Sequence, residues 1–157
     1  MSTTDDERRH TPGPDRRQFS RGGRRTTDLP GRHPRVIVAD SYEAARRPCI
    51  RYLDHFNFDV APATDGQTAI DAIGSQTTAV ILMDSHLKDP SSRKRLGAES
   101  RTQGIPLILL VDTQSESREP DAAGLQAAAV LVKPFPLAVM IDTIRGVLRT
   151  RSTTVVV

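Results

Sequence analysis

Asp40, Asp84 and Lys133 each close a short apolar run: VIVA precedes Asp40, AVILM precedes Asp84 and AVLV precedes Lys133. A fourth run, PLILLV, leads into Asp112 and Thr113. Carboxylates held close together repel one another and bind a hard, oxygen-seeking dication such as Mg²⁺, while a lysine supplies a movable positive charge. That set suits phosphoryl transfer to a carboxylate oxygen, where catalysis is mostly positioning and charge neutralisation. Everything then depends on elements that bring the three run ends together.

The runs read as strands buried on both faces, as in a parallel sheet. VIVA is the first strand, 58–61 the second, 79–83 the third, 106–111 the fourth and 129–132 the fifth. Between them, residues 42–55 have helical spacing, with Ser41 or Asp40 as cap and Pro48 predicting a kink or a late start. Residues 67–73 form a short helix after the Asp65-Gly66 turn. Residues 92–101 predict a marginal, exposed helix, because SSRKRLGAESR has few apolar positions. Helices follow near 116–126 and over 136–149. This alternation implies an α/β fold, a doubly wound five-stranded parallel sheet with right-handed crossovers. Ligands bind beyond the carboxyl ends of such strands, where Asp40, Asp84 and Lys133 stand.

The 157 residues predict one domain. With aromatics at 4% and no tryptophan, its core must be aliphatic. The lone Cys49 cannot form an internal disulfide, the first residues carry no apolar signal stretch, and no run approaches the roughly 20 residues that span a bilayer. A cytoplasmic protein with no membrane contact is expected. The net charge of +3 resides in residues 1–34, which hold eight Arg against five acids. Rich in Pro and Gly and poor in aliphatics, this stretch reads as a disordered basic arm. A solubilising tail is favoured over a nucleic-acid contact, because Asp15 and Asp28 interrupt the arginines and only Phe19 could stack on a base. The string DRRQFSR resembles the arginine-rich opening of PilZ domains, but the barrel that should follow is missing. Residues 35–149 are expected to form the folded domain, and 150–157 a tail ending in three valines.

The strings VIVADS, AVILMDSHLKD, PLILLVD and AAAVLVKPF, in that order, resemble response-regulator receiver domains of the chemotaxis-regulator type across residues 35–149. LVKPF and MDSHLKD carry most of that resemblance. It implies a flavodoxin-like sheet of order 2-1-3-4-5 in bacterial two-component phosphorelay signalling. It further implies Asp84 as phosphoacceptor toward a histidine kinase or phosphotransfer protein, and Lys133 as ion pair to the phosphoryl group. Mg²⁺ would be held by Asp40, Asp84 and the backbone carbonyl of His86, and the proline after Lys133 would follow a cis bond. On this resemblance the chain is no enzyme beyond its own phosphoryl transfer, and a stand-alone receiver signals to a downstream protein through its faces.

Three positions depart from the family pattern. Ser41 stands where a second acid usually touches the metal, Val111 where a hydroxyl meets the phosphoryl group, and Val130 where the switch aromatic lies. The first predicts weaker Mg²⁺ binding. The other two remove the moving parts of the family's coupled rearrangement, and all three favour a second reading: a degenerate receiver acting as a phosphorylation-independent binding or scaffold module. Thr113 would replace the missing hydroxyl only if the backbone bent. A nucleotide or flavin enzyme on the same fold would need a phosphate-binding loop after the first strand, where SYEAARR offers none.

Overall fold

A computed structural model describes residues 33–153 of the chain. All but the last two residues of the expected basic arm, and the three terminal valines, lie outside the described residues. The order is β1 (Arg35–Ala39), α1 (Glu43–His55), β2 (Asp59–Ala63), α2 (Gly66–Ser75), β3 (Val80–Asp84), α3 (Pro90–Gln103), β4 (Leu107–Val111), a 3₁₀ turn (Gln114–Arg118), α4 (Pro120–Ala123), β5 (Ala129–Val132) and α5 (Leu137–Thr153).

The strands form one parallel sheet in the order β2-β1-β3-β4-β5. At its centre β3 and β4 are buried at every residue, whereas the equally apolar AVLV of β5 lies at an edge and is mostly half-buried. Pro62 sits in β2 at an edge, the place where a residue lacking an N–H disturbs a sheet least. Strand alternation then divides the core in two. Ile37, Ile81, Met83 and Leu109 meet α2 and α3 through Ala69, Ile73 and Leu96. Val36, Val38, Leu82, Ile108 and Leu110 meet α1 and α5 through Cys49, Leu53, Met140 and Ile144. Burying an aliphatic side chain of this size stabilises by roughly 1.5–3 kcal/mol, so two aliphatic layers suffice without tryptophan.

Several local expectations need correction. Helix α1 starts at Glu43, well before Pro48, so there is no late start. Pro48 leaves the Ala44 carbonyl without its usual donor, but both residues are exposed and water can serve it. Neither Ser41 nor Asp40 caps this helix in the ordinary way. Tyr42 occupies the cap position without a side-chain bond, and the Asp40 carboxylate accepts from its N–H at 2.9 Å. Helix α5 runs on to Thr153, four residues into the expected tail.

Helix α3 is longer and better packed than its sequence suggests. Asp89 caps it by accepting from the Ser91 N–H, Pro90 opens it, and Gly104 closes it at φ 66°, in the left-handed region that glycine adopts freely. Its buried stripe is Ser92, Leu96, Gly97 and Ser100. Small residues make that face, allowing close approach: a Cβ on Gly66 would lie 2.6 Å from the Ser92 carbonyl, and one on Gly97 2.6 Å from Leu125. A count of apolar residues misses such a face.

The single helix expected near 116–126 is instead a 3₁₀ turn followed by the one-turn α4. Pro120 separates them, since the residue before a proline is pushed out of helical conformation, and Glu119 is extended at ψ 146°.

Helix α2 has the most complete cap. The Asp65 carboxylate accepts from the Thr68 N–H at 2.7 Å and from its hydroxyl at 2.8 Å. The Thr68 N–H above all holds the carboxyl below its ordinary pKa. Asp65→Ala is expected to cost about 1 kcal/mol in urea unfolding. Because the folded pKa is depressed, the wild-type advantage exists above the unfolded pKa and fades as the pH falls through the folded one.

Candidate functional site

The carboxyl ends of β1 and β3 and the residue after β5 meet on one rim. Asp84 is the last residue of β3, Asp40 directly follows β1 and Lys133 directly follows β5. Lys133 Nζ lies 2.8 Å from Asp84 Oδ1 and 3.4 Å from Asp40 Oδ2. Both aspartates are buried, at 2% exposure each. Burial works against the Lys133 charge, but its bond to Asp84 and the charges of Asp84 and Asp40 outweigh burial and raise its pKa above the ordinary lysine value. One cation thus serves two carboxylates, leaving the trio with a net negative charge.

Backbone groups fix the trio from behind. The Lys133 N–H donates to the Val111 carbonyl at 2.7 Å, and the Lys133-Pro134 bond is cis. The second Asp84 oxygen accepts from the His86 N–H at 3.3 Å, while the Asp84 carbonyl accepts from the Leu87 N–H, folding the chain into a tight turn after β3. Arg46 on α1 donates to the Asp40 carbonyl at 2.6 Å. The buried thiol of Cys49 is raised in pKa, by burial first and then by the nearby Asp40 charge. It is a packed core group.

The three departures have definite surroundings. The Ser41 hydroxyl accepts from the Lys88 N–H at 2.9 Å and so straps the loop after β1 to the loop after β3. Val111 is fully buried, and Val130 packs against the core on the α2–α3 face. The Thr113 hydroxyl does not replace Val111: it pairs with Ser115 Oγ at 2.9 Å on the exposed loop.

A second polar cluster, built by Glu116, escaped sequence reasoning. Glu116 Oε2 accepts from the Ser85 hydroxyl at 3.0 Å and the Asp112 N–H at 3.2 Å, and lies 3.4 Å from His86 Nε2. His86 Nε2 also stands 3.3 Å from Asp112 Oδ2. Burial disfavours the Glu116 charge, but the bonds from Ser85 and Asp112 and the adjacent His86 lower its pKa below the ordinary glutamate value. The Arg93 guanidinium on α3 donates to the Ser85 carbonyl. Nothing in SESRE separates Glu116 from a solvated acid. The available signal was its position, five residues beyond the end of a strand whose neighbour carries Asp84.

No family model matches the chain. The response regulator MprA of Mycolicibacterium vanbaalenii is 31% identical over 117 residues, 73% of this chain and 50% of that protein. MprA of Mycobacterium avium is likewise 31% identical over 117 residues, covering 73% and 51%. The chain therefore spans about half the length of these curated relatives. Among solved structures, the N-terminal domain of a response regulator/sensory box/GGDEF protein from Carboxydothermus hydrogenoformans superposes with a TM-score of 0.69 at 16% identity, over 78% of this chain and 99% of that one. The chemotaxis response regulator CheY4 of Vibrio cholerae gives 0.65 at 21% identity, over 73% and 98%. With the sheet order and a rim of two acids and a lysine, these likenesses make the folded part of this chain a response-regulator receiver domain.

Proposed function

We propose that Asp84 accepts a phosphoryl group from a phosphohistidine on a histidine kinase or phosphotransfer protein, and that the domain passes the signal on by protein contact. The observation that carries this reading is Lys133 Nζ at 2.8 Å from Asp84 Oδ1 and 3.4 Å from Asp40 Oδ2. In the step, an Asp84 oxygen attacks phosphorus, the P–N bond to the histidine breaks, and the imidazole leaves with the electron pair. Lys133 then pairs with the new phosphoryl oxygens, with Asp40 as its second carboxylate partner. Beyond this self-modification no enzymatic activity is assigned.

The oxygen donors of Asp40, Asp84 and the His86 carbonyl, two of them buried carboxylates sharing one lysine, fit a hard dication. When bound, Mg²⁺ supplies neutralisation of charge on the transferring phosphoryl oxygens. A reducing cytoplasm suits the buried free thiol, and no helix among the described residues is long and apolar enough to cross a membrane. The test is incubation of the full chain with Mg²⁺ and a small-molecule phosphodonor, followed by intact mass. One added phosphoryl group that requires Mg²⁺ is expected, and its absence overturns the reading.

Buried Val111 and core-packed Val130 favour a second reading, a phosphorylation-independent binding module. It predicts no mass change and the same partner affinity in Asp84→Asn as in the wild type.

Ser41→Asp separates the two roles open to that position. An aspartate can still accept from the Lys88 N–H, so the loop strap survives, and it adds a negative charge beside Asp40. Mg²⁺ is expected to bind at least about tenfold more tightly, about 1.4 kcal/mol, by fluorescence or calorimetric titration. Unchanged affinity would mean that residue 41 does not face the metal.

A further inference from the structure

The imidazole of His86 and the carboxylates of Asp112 and Glu116 take no part in the chemistry proposed for Asp84, yet they converge from three segments: the turn after β3, the end of β4 and the 3₁₀ turn. We infer that these three side chains form a second metal site, one that takes a transition dication of the zinc class. Zinc bound by nitrogen and oxygen at about 2.0–2.1 Å in a tetrahedron keeps its ligand atoms about 3.3–3.4 Å apart. His86 Nε2 stands 3.3 Å from Asp112 Oδ2 and 3.4 Å from Glu116 Oε2, the separations of two such edges. Ligand atoms of all three residues lie within 4.8 Å of one another, so the third edge closes with a small side-chain adjustment.

The donor set is also chemically selective. One imidazole nitrogen with two carboxylate oxygens suits zinc, cobalt or nickel better than Mg²⁺, which prefers oxygen alone. With neutral imidazole the cluster carries two negative charges, which a dication would balance. The Glu116 carboxylate is already oriented by the Ser85 hydroxyl and the Asp112 N–H, the kind of outer support that metal ligands have. Three protein ligands leave a fourth position for water or a small anion, and two of them, His86 and Glu116, line a cavity together with Ser85 and Arg93. This site uses the His86 side chain, whereas the Mg²⁺ reading uses its backbone carbonyl. The two are compatible and fail independently.

Co²⁺ titration of the full chain, followed by visible absorption, tests the assignment, with far-UV circular dichroism to show that each variant folds. The wild type should develop the intense visible bands of tetrahedral cobalt, bleached by an equivalent of Zn²⁺. His86→Ala and Glu116→Gln should each weaken binding by more than about a hundredfold, beyond the loss typical of an outer partner, and Ser85→Ala by about tenfold. Asp84→Asn should leave the bands in place. A wild type without visible bands at millimolar Co²⁺ would overturn the inference, as would bands that survive both His86→Ala and Glu116→Gln. Bands lost in Asp84→Asn but kept in the two ligand variants would place the ion in the Asp84 pocket and refute the site equally. Should one ligand variant misfold, the other decides.

Discussion

Lys133→Met is expected to unfold at clearly lower denaturant than the wild type, by about 2–3 kcal/mol at neutral pH. Removing one partner of a fully buried ion pair costs about 3–5 kcal/mol, because the other charge stays behind unpaired. Lys133 retains 26% side-chain exposure, so solvent screening brings the expected cost to the bottom of that range or just below it. What it leaves behind is two buried carboxylates, Asp40 and Asp84, with no cation between them. The loss should therefore be partly repaired by Mg²⁺, and Asp84→Asn in the Lys133→Met background should recover stability by removing the like-charge repulsion. Urea unfolding of the single and double variants, with and without Mg²⁺, measures each effect. The sign of the pH dependence follows from the raised lysine pKa: its stabilisation is complete below the unfolded value near 10.5 and is lost as the pH climbs through the folded value. Wild type and Lys133→Met should thus converge in stability at strongly alkaline pH.

Asp84→Asn is expected to lose all phosphoryl uptake while folding at least as stably as the wild type. The amide nitrogen and neutral carbonyl of asparagine cannot form the acyl phosphate, so the loss is of chemistry and not of degree. Stability should hold because Lys133 keeps Asp40 as partner at 3.4 Å and one of two crowded negative charges is gone. Intact mass after phosphodonor treatment, beside a urea curve, reads both halves. Uptake that persists in Asp84→Asn would mean that another group accepts the phosphoryl. A variant that fails to fold would show instead that the Asp84 carboxylate is needed structurally.

Most of the architecture was legible because its signals are long and redundant. VIVA, VILM, LILLV and AVLV are continuous apolar runs, and short runs of that kind alternating with helical segments read as strands of a parallel sheet. Asp40, Asp84 and Lys133 were legible for the same reason, since a strand end is a topologically defined place. What escaped is what depends on small residues and on loops. Helix α3 packs through Ser92, Gly97 and Ser100, whose contribution is closeness and not hydrophobicity. Ser41 reads as a lost metal ligand in the sequence but also works as a hydrogen-bond strap to Lys88, a contact 47 residues away along the chain. The break at Pro120 is readable from the proline alone. The His86, Asp112 and Glu116 cluster was not, because it forms only once the 3₁₀ turn folds back beside the end of β4.

Val111 and Val130 bear on output more than on acceptance. Neither side chain can hydrogen-bond the Lys133, Asp84 and Asp40 trio, and Val111 holds Lys133 only through its backbone carbonyl. On the proposed function, a report of the phosphoryl group to a partner would use other contacts, such as the bonds that Glu116 and Arg93 make to Ser85, the residue after Asp84.

The central claim is that Asp84 itself carries the phosphoryl group. It is tested most directly by treating the phosphodonor-reacted chain with borohydride, which reduces an aspartyl phosphate to homoserine, and locating the altered residue by peptide mass spectrometry. Homoserine at position 84, formed only when both Mg²⁺ and phosphodonor were present, is the predicted result. An unaltered aspartate at 84, or homoserine at another acid such as Asp40 or Asp112, would contradict it.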